Sequence, residues 1–556
     1  MTQSRARSPR LSGVALRNLA RFARTRIGGI ALQRILRSDL GVDRLEALPD
    51  ALRADVPLDT RAHSGRAPRQ HASQDLPWPS PGWAPTSGTL TAAYSEGRIS
   101  PRDVVAHALA EARRLAAQTP SVGPILDYAE EVALAEAAES AIRWRERRPL
   151  GPFDGVPWAV KEQTSVRGLP RKGGTTFLDG SGQERDATTV ARIRAAGAIT
   201  LGTTPMTEFG MTPNGANSKR AMPRNPHATD RLAGGSSTGS GVAVATGLVP
   251  FALGADGGGS IRIPAAINGV FGIKPTWGRV SRNGDISGGT VAHLGPLASS
   301  TVDLAQALEL LSGYDGEDLQ TIAAPPREAG SFVAALGRGV RGMVIGVPDG
   351  EWADASDPVQ RAGRAALAAL EKEGAKLVPL RFELAQYASA IGVVVIACEA
   401  RAGLRKEWRE HGDDMGDDLQ VSFSALDAFT AVEYLETCRL RTGLRREMAH
   451  AFESVDLVAM PSTVAPAAKV SDTDMRTGFL DTKVIDGLCR FMFMGNLTGL
   501  PAASVPVGCD AAGLPVGLQL VGDAWDEATV IAASAHLERL GVAVTRRPRI
   551  TADIIG

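Results

Sequence analysis

The sequence predicts an α/β protein: one large, twisted, mixed β-sheet buried between layers of helices. Three observations carry this. From about residue 89 to the end, segments of helical period alternate with short apolar runs. Those runs, 156–160 for example, are continuously apolar rather than alternating, the pattern of strands covered on both faces. The chain has 556 residues, 44% of them hydrophobic and 22% charged, enough to bury a sizeable core.

In chain order, residues 11–38 have helical spacing, with Leu16, Leu19, Ala20, Ala23, Ile27, Ile30 and Ala31 on one face and Arg17, Arg21 and Arg24 on another. Gly28 and Gly29 weaken the middle, so two short helices compete with one long one. Six prolines and two tryptophans in 57–88 read as an extended linker lying over the body. Two domains follow: a basic arm with its proline-rich linker (1–88) and a body (89–556). In the body, 102–118 and 128–147 are amphipathic helices, 156–160 a buried strand, and 188–196 a helix feeding a strand at 199–201. Helix and strand pairs recur at 360–372 with 376–380 and at 426–452 with 457–460, and the last helix covers 526–540. This alternation predicts a largely parallel sheet.

Charge sorts the chain further. The 61 basic and 61 acidic residues cancel, which argues against a nucleic-acid-coating protein. Nine arginines against Asp39 alone lie in residues 1–40, leaving 52 basic and 60 acidic residues elsewhere, so a mildly acidic body carries a cationic arm. Cys398, Cys438, Cys489 and Cys509 lack metal-type spacing and read as free thiols of a reducing compartment. No apolar run approaches the ~18 residues of a membrane span. The expected location is the cytoplasm, with or without membrane association.

The chemistry concentrates in two glycine- and serine-rich stretches, AGGSSTGSG (233–241) and GADGGGSIRIP (254–264). Successive N–H groups at Gly257, Gly258, Gly259 and Ser260 suit a structural turn, an oxyanion hole beside the Ser260 hydroxyl, or a phosphate nest; no lysine follows to complete a P-loop. Gly235-Ser236-Ser237-Thr238-Gly239 also fits the esterase elbow, with Ser237 central, but it follows a polar segment. Its required histidine (His293, His411, His450 or His536) sits in no distinctive setting. The alternative base is a lysine. With nine lysines against 52 arginines, Lys161 at the end of GVPWAV and Lys274 in GVFGIKPT stand out, because burial favours the neutral, proton-accepting amine. Spacing does not choose between them.

GVPWAVKE with GGTTFL, then AGGSSTGSG, ADGGGSIRIPAAINGVFGIKPTWGRVS and GLPAASVPVG…GLPVGLQLVG, resembles the amidase signature family over roughly residues 89–550. The resemblance implies the amidase signature fold and a Ser–cis-Ser–Lys triad, with Ser260 as nucleophile, Ser236 as bridging serine and Lys161 as base. It also implies Ser237 as a supporting hydroxyl, an oxyanion hole at 257–260, and no metal or cofactor. Lys274, Asp256 and Arg262 are then structural. LSGVALRNLARF…LGVDRLEALPD, SGGT at 287–290 and the ending near Asp553 are most similar to plant-type fatty acid amide hydrolases. That similarity implies lipophilic N-acyl amide substrates, a homodimer, and N-terminal helices near an acyl channel. Short aliphatic or aryl amides, or glutamine for an amidotransferase, are the alternative substrates. The Arg-rich arm and Thr212–Gly215 depart from that subgroup. Aromatic and methionine residues, Met206, Met211, Met494, Trp158, Phe491 and Met492 among them, are candidates either to line an acyl pocket or to pack in the core. The arm has three readings: its apolar face packs on the body or on a second copy, residues 11–38 rest on anionic lipid, or it is a transit peptide.

Overall fold

The computed structural model describes residues 10–57, 69, 71–74, 82–178, 180–426 and 429–556. Most of the predicted linker, with Pro68, Pro77, Pro79 and Pro81, lies outside the described residues, as do Arg5 and Arg7.

Ten strands form one sheet: β1 (Pro157–Lys161), β2 (Ile199–Thr204), β3 (Phe251–Asp256), β4 (Phe271–Lys274), β5 (His293–Ala298), β6 (Val344–Pro348), β7 (Lys376–Leu380), β8 (Leu457–Pro461), β9 (Ala502–Cys509) and β10 (Pro515–Gly522). Their spatial order is β2-β1-β3-β5-β4-β9-β10-β8-β6-β7. Pairing is parallel at both ends and antiparallel through the middle. The sheet is therefore mixed, as predicted, but not largely parallel. The reasons are β5, which runs against both β3 and β4, and the hairpin β9–β10, whose two strands arise from the GLPAASVPVG…GLPVGLQLVG block and were not separately predicted. Every residue of β1, β2 and β3 is buried, which accounts for their unalternating sequences. Trp158 and Phe153 both stack on Phe251 in the main core, so Trp158 is a packing residue rather than part of an acyl pocket.

The helices that position the site are α1 (Gly13–Ala23), α2 (Arg26–Asp39), α3 (Thr238–Ala245), α4 (Arg262–Asn268), α5 (Ala388–Gly403), α6 (Asp417–Leu426), α7 (Ala431–Phe452) and α8 (Phe493–Thr498). No single described helix is long and apolar enough to cross a membrane. The body's first helix, Ser87–Ser95, opens with a capping box at Thr86, two residues before the predicted boundary.

The arm forms two helices, and the break precedes the glycines. Thr25 Oγ1 donates to the Phe22 carbonyl at 2.7 Å and accepts from the Gly28 N–H at 3.0 Å, capping α2. A Cβ at Gly28 would fall 1.8 Å from that carbonyl, so the corner requires glycine there. Leu16, Ala20, Ala23 and Leu32 bury against Val421 of α6. The break rotates α2, leaving Ile27 and Ile30 exposed at 76% and 52%, contrary to the single apolar face read from spacing. Several arm arginines meet the acidic body: Arg10 reaches Asp474 at 2.9 Å and Arg24 reaches Asp413 at 2.8 Å.

Candidate active site

Two parallel neighbours, β1 and β3, end side by side, and their C-terminal residues open onto the site. This is where open α/β sheets place ligands. Lys161 closes β1 and is almost wholly buried. Its Nζ donates to Ser236 Oγ at 2.7 Å and lies 3.4 Å from the Ala255 carbonyl. Burial pulls the amine down to about 7, against the opposing fields of Asp285, Asp256 and Glu162. Ser236 follows a cis peptide bond from Gly235 and stands just before α3. Ser237 is occupied differently: its Oγ accepts from the Ala255 N–H at 3.2 Å and donates to the Ala255 carbonyl at 3.1 Å, pinning the end of β3.

β3 runs into the turn Gly257–Gly258–Gly259–Ser260. Its shape is dictated by the Asp256 carboxylate, which accepts from the N–H groups of Gly259 (2.7 Å) and Ile261 (3.1 Å). Gly259 has φ +115°, and a Cβ there would meet Met492 at 2.6 Å; one at Gly258 would meet the Phe493 ring at 2.7 Å. Burial raises the Asp256 carboxyl, but Arg262, at 3.0 Å from both its oxygens, more than reverses this and holds it well below the usual carboxylate range. Arg262 also donates to Asn496, Gln519 and the Met492 carbonyl, so no donor group of this buried ion pair hangs on water.

Lys161, Ser236 and Ser260 line one cleft of about 270 Å³, together with Gln163, Ser287 and Glu399. A second, largely apolar cavity of about 170 Å³ continues from Ser260 past Ile396, Phe429, Leu480 and Ile485 to Gln33, Arg37 and Leu40 of the arm. Gly210, Met211, Ser260 and Ile396 border both branches, which meet at the serine. The amidase family model matches residues 107–531.

The chain belongs to the amidase family. This amidase is 33% identical over 493 residues to one component of the glutamyl-tRNA(Gln) amidotransferase of Chloroflexus aurantiacus, covering 83% of this chain and 98% of that protein. It is 32% identical over 470 residues to a fatty acid amide hydrolase of Arabidopsis thaliana, covering 83% and 77%. It superposes on the native peptide amidase from Stenotrophomonas maltophilia with a TM-score of 0.71 at 28% identity, covering 85% of this chain and all of that one. It is an amide hydrolase with the amidase signature fold.

Within the amidase, the sequence candidates separate. Lys161, Ser236 and Ser260 converge on the cleft. Lys274 does not: buried among backbone, it donates to the carbonyls of Pro275 (2.9 Å) and Leu500 (2.6 Å). None of the four candidate histidines lines the cleft, and the Ser237 hydroxyl is spent on Ala255, so the esterase elbow has no base and no free nucleophile. Gly259 needs correction as an oxyanion donor, because its N–H is taken by Asp256. Of the four methionines, Met211 lines both cavities and Met492 is buried in a core cluster off both walls. Met206 is buried off both cavity walls, and Met494 packs with Phe491, Met448 and Leu500 in a separate core cluster. Gln163, Asp285 and Glu399 were not read from sequence. Glu399 had a signal: an acid three positions after Ile396 at the end of an apolar helix, on the face that turns to the site.

Proposed function

We propose that this amidase hydrolyses lipophilic N-acyl amides through Ser260, Ser236 and Lys161. The observation that carries the reading is the buried Lys161 amine on Ser236 Oγ, in the cleft where Ser260 meets an apolar branch. Neutral Lys161 takes the Ser236 proton while Ser236 takes that of Ser260, whose Oγ bonds to the carbonyl carbon. The oxyanion accepts from the N–H groups of Gly257, Gly258 and Ser260. Each such donor is worth roughly 3–4 kcal/mol in hydrolases of known mechanism. The protons then return along the relay to the leaving nitrogen, the C–N bond breaks, and water cleaves the Ser260 ester by the same relay.

A fluorophosphonate probe tests this. One adduct on Ser260, lost with turnover in Ser260→Ala, supports the relay; an adduct on Ser237 overturns it. The amidotransferase relative favours a second reading, glutamine hydrolysis for a partner. Glutamine in a panel beside short and long-chain amides separates the two, and a glutamine preference would replace the lipophilic assignment.

Two further proposals remain, membrane contact from the arm's outward face and a homodimer from the resemblance to plant-type fatty acid amide hydrolases. Val14 and Ile27 stand 71% and 76% exposed among Arg17, Arg21 and Arg34. We take this face to contact an anionic membrane surface peripherally, and the chain to be a homodimer. Co-sedimentation with anionic vesicles, with and without Ile27→Asp, and light scattering test these separately.

A further inference from the structure

The cleft has a polar end that the hydrolytic relay does not use. It is built around Glu399 of α5. Thr290 donates its N–H to Glu399 Oε2 at 2.7 Å and its hydroxyl to Oε1 at 2.6 Å, and Tyr434 donates its hydroxyl to Oε1 at 3.1 Å. Arg441 does not seize the carboxylate; it bonds to the hydroxyl and the carbonyl of Thr290 and holds that residue in place. Gly289 lets the acid lie against the wall, since a Cβ there would come within 2.3 Å of Oε2. A carboxylate has about four acceptor sites. These contacts fill three and orient the side chain, leaving the fourth, on Oε2, for a donor from the cleft.

The other charged groups lining the cleft leave Glu399 to set its sign. Asp256 is neutralised by Arg262, and Lys161 is drawn by burial toward its neutral form. Gln163 gives one amide N–H to Asp285 at 2.8 Å and adds no charge to the cleft. If the acyl chain fills the apolar branch, this end faces the leaving amine.

We propose that Glu399 defines a leaving-amine subsite selective for amides whose amine bears a second, cationic nitrogen: mono-acylated diamines, with N-acylated amino acids disfavoured. The inference rests on the amidohydrolase reading above. An ammonium would donate to Glu399 and be attracted by it, a neutral alkylamine would leave the acceptors unpaired, and a carboxylate would be repelled.

The experiment uses decanoyl amides of ethylenediamine, propylamine and glycine with the full chain. The expected order of kcat/KM is ethylenediamine, then propylamine, then glycine. The first should exceed the second about tenfold at low salt, narrowing as ionic strength rises. Glu399→Gln, of the same shape, should collapse that ratio mainly through KM. Equal kcat/KM for the ethylenediamine and propylamine substrates in the unaltered enzyme would overturn the subsite without any variant, and so would a ratio unchanged in Glu399→Gln. Turnover of the propylamide and probe labelling at Ser260 report on the hydrolytic reading independently. If both fail, that reading falls and takes the subsite with it.

Discussion

Lys161 Nζ lies 2.7 Å from Ser236 Oγ, and the amine making this contact is buried enough to be held near neutrality. One hydrogen bond thereby joins the end of β1 to the turn before α3. The acid–base behaviour of the enzyme should follow from it.

The base form of Lys161 is the uncharged one, so its population rises with pH through the depressed value of about 7. The kcat/KM profile is expected to climb to a plateau with an acid limb near that pH. Lys161→Met should remove the limb together with nearly all activity and probe labelling. A limb near pH 4 would assign the titration to a carboxylate instead.

Asp285 does not line the cleft, yet it ties its walls together. It accepts from Gln163 (2.8 Å), Thr164 Oγ1 (2.6 Å) and the Ser287 N–H (2.7 Å), and its field raises the Lys161 amine. Asp285→Asn keeps the shape and removes the charge. With less to offset burial, Lys161 should titrate lower, so the acid limb should move to lower pH. Loss of activity with an unmoved limb would show that Asp285 acts only through the walls.

Ser237 brackets the Ala255 peptide from both sides inside a buried site. Ser237→Ala leaves the Ala255 N–H without this partner, and the carbonyl keeps only the longer contact from Lys161 Nζ at 3.4 Å, at a cost of roughly 1–3 kcal/mol. A lower Tm with Ser260 still labelled by the probe is the expected result. If the variant lost labelling and kept its Tm, Ser237 would belong to the relay itself.

How far the sequence carries the site depends on the range over which each residue acts. Ser260 and the glycines were legible because close backbone approach and an anion-facing turn restrict residue type locally; Ser236 was not, since the residues alone pointed to Ser237 and the role of Ser236 came from the family resemblance. Lys161 and Lys274 both stood out because each ends an apolar strand, and the residues alone did not separate them; the structure gives Lys274 to backbone carbonyls and Lys161 to Ser236. Asp285 and Glu399 were not legible. Their importance comes from partners far along the chain, Thr164 and Gln163 for one and Tyr434 and Thr290 for the other. Of the ten strands, β1, β2, β7 and β8 were found, and all of these but the edge strand β7 were found because burial on both faces writes itself as continuous apolar sequence. Their directions were not, because pairing in the middle of the sheet is decided by β5 against β3 and β4 and by β9–β10 against β4 and β8. The arm shows a third limit: one hydroxyl, that of Thr25, caps α2 and so turns Ile27 and Ile30 outward.

The arm's inner face carries the last prediction. Gln33, Arg37 and Leu40 of the arm complete the apolar branch that starts at Ser260, and Arg37 is held there by Asp43 (3.1 Å), Glu46 and Glu433. The arm is itself held by Leu16, fully buried against α6. Leu16→Asp puts a carboxylate into that contact and should release α1 and α2 from the body, leaving the sheet and the Lys161–Ser236 contact in place. A short amide occupies only the region of Ser260 and should keep its kcat/KM. A long acyl chain loses the far wall, and each methylene left in water forfeits about 0.8 kcal/mol, so its KM should rise roughly tenfold for two such groups. Kinetics on a homologous series of acyl chains measure this directly. An equal loss for short and long substrates would mean that the arm supports the body as a whole and does not wall the channel.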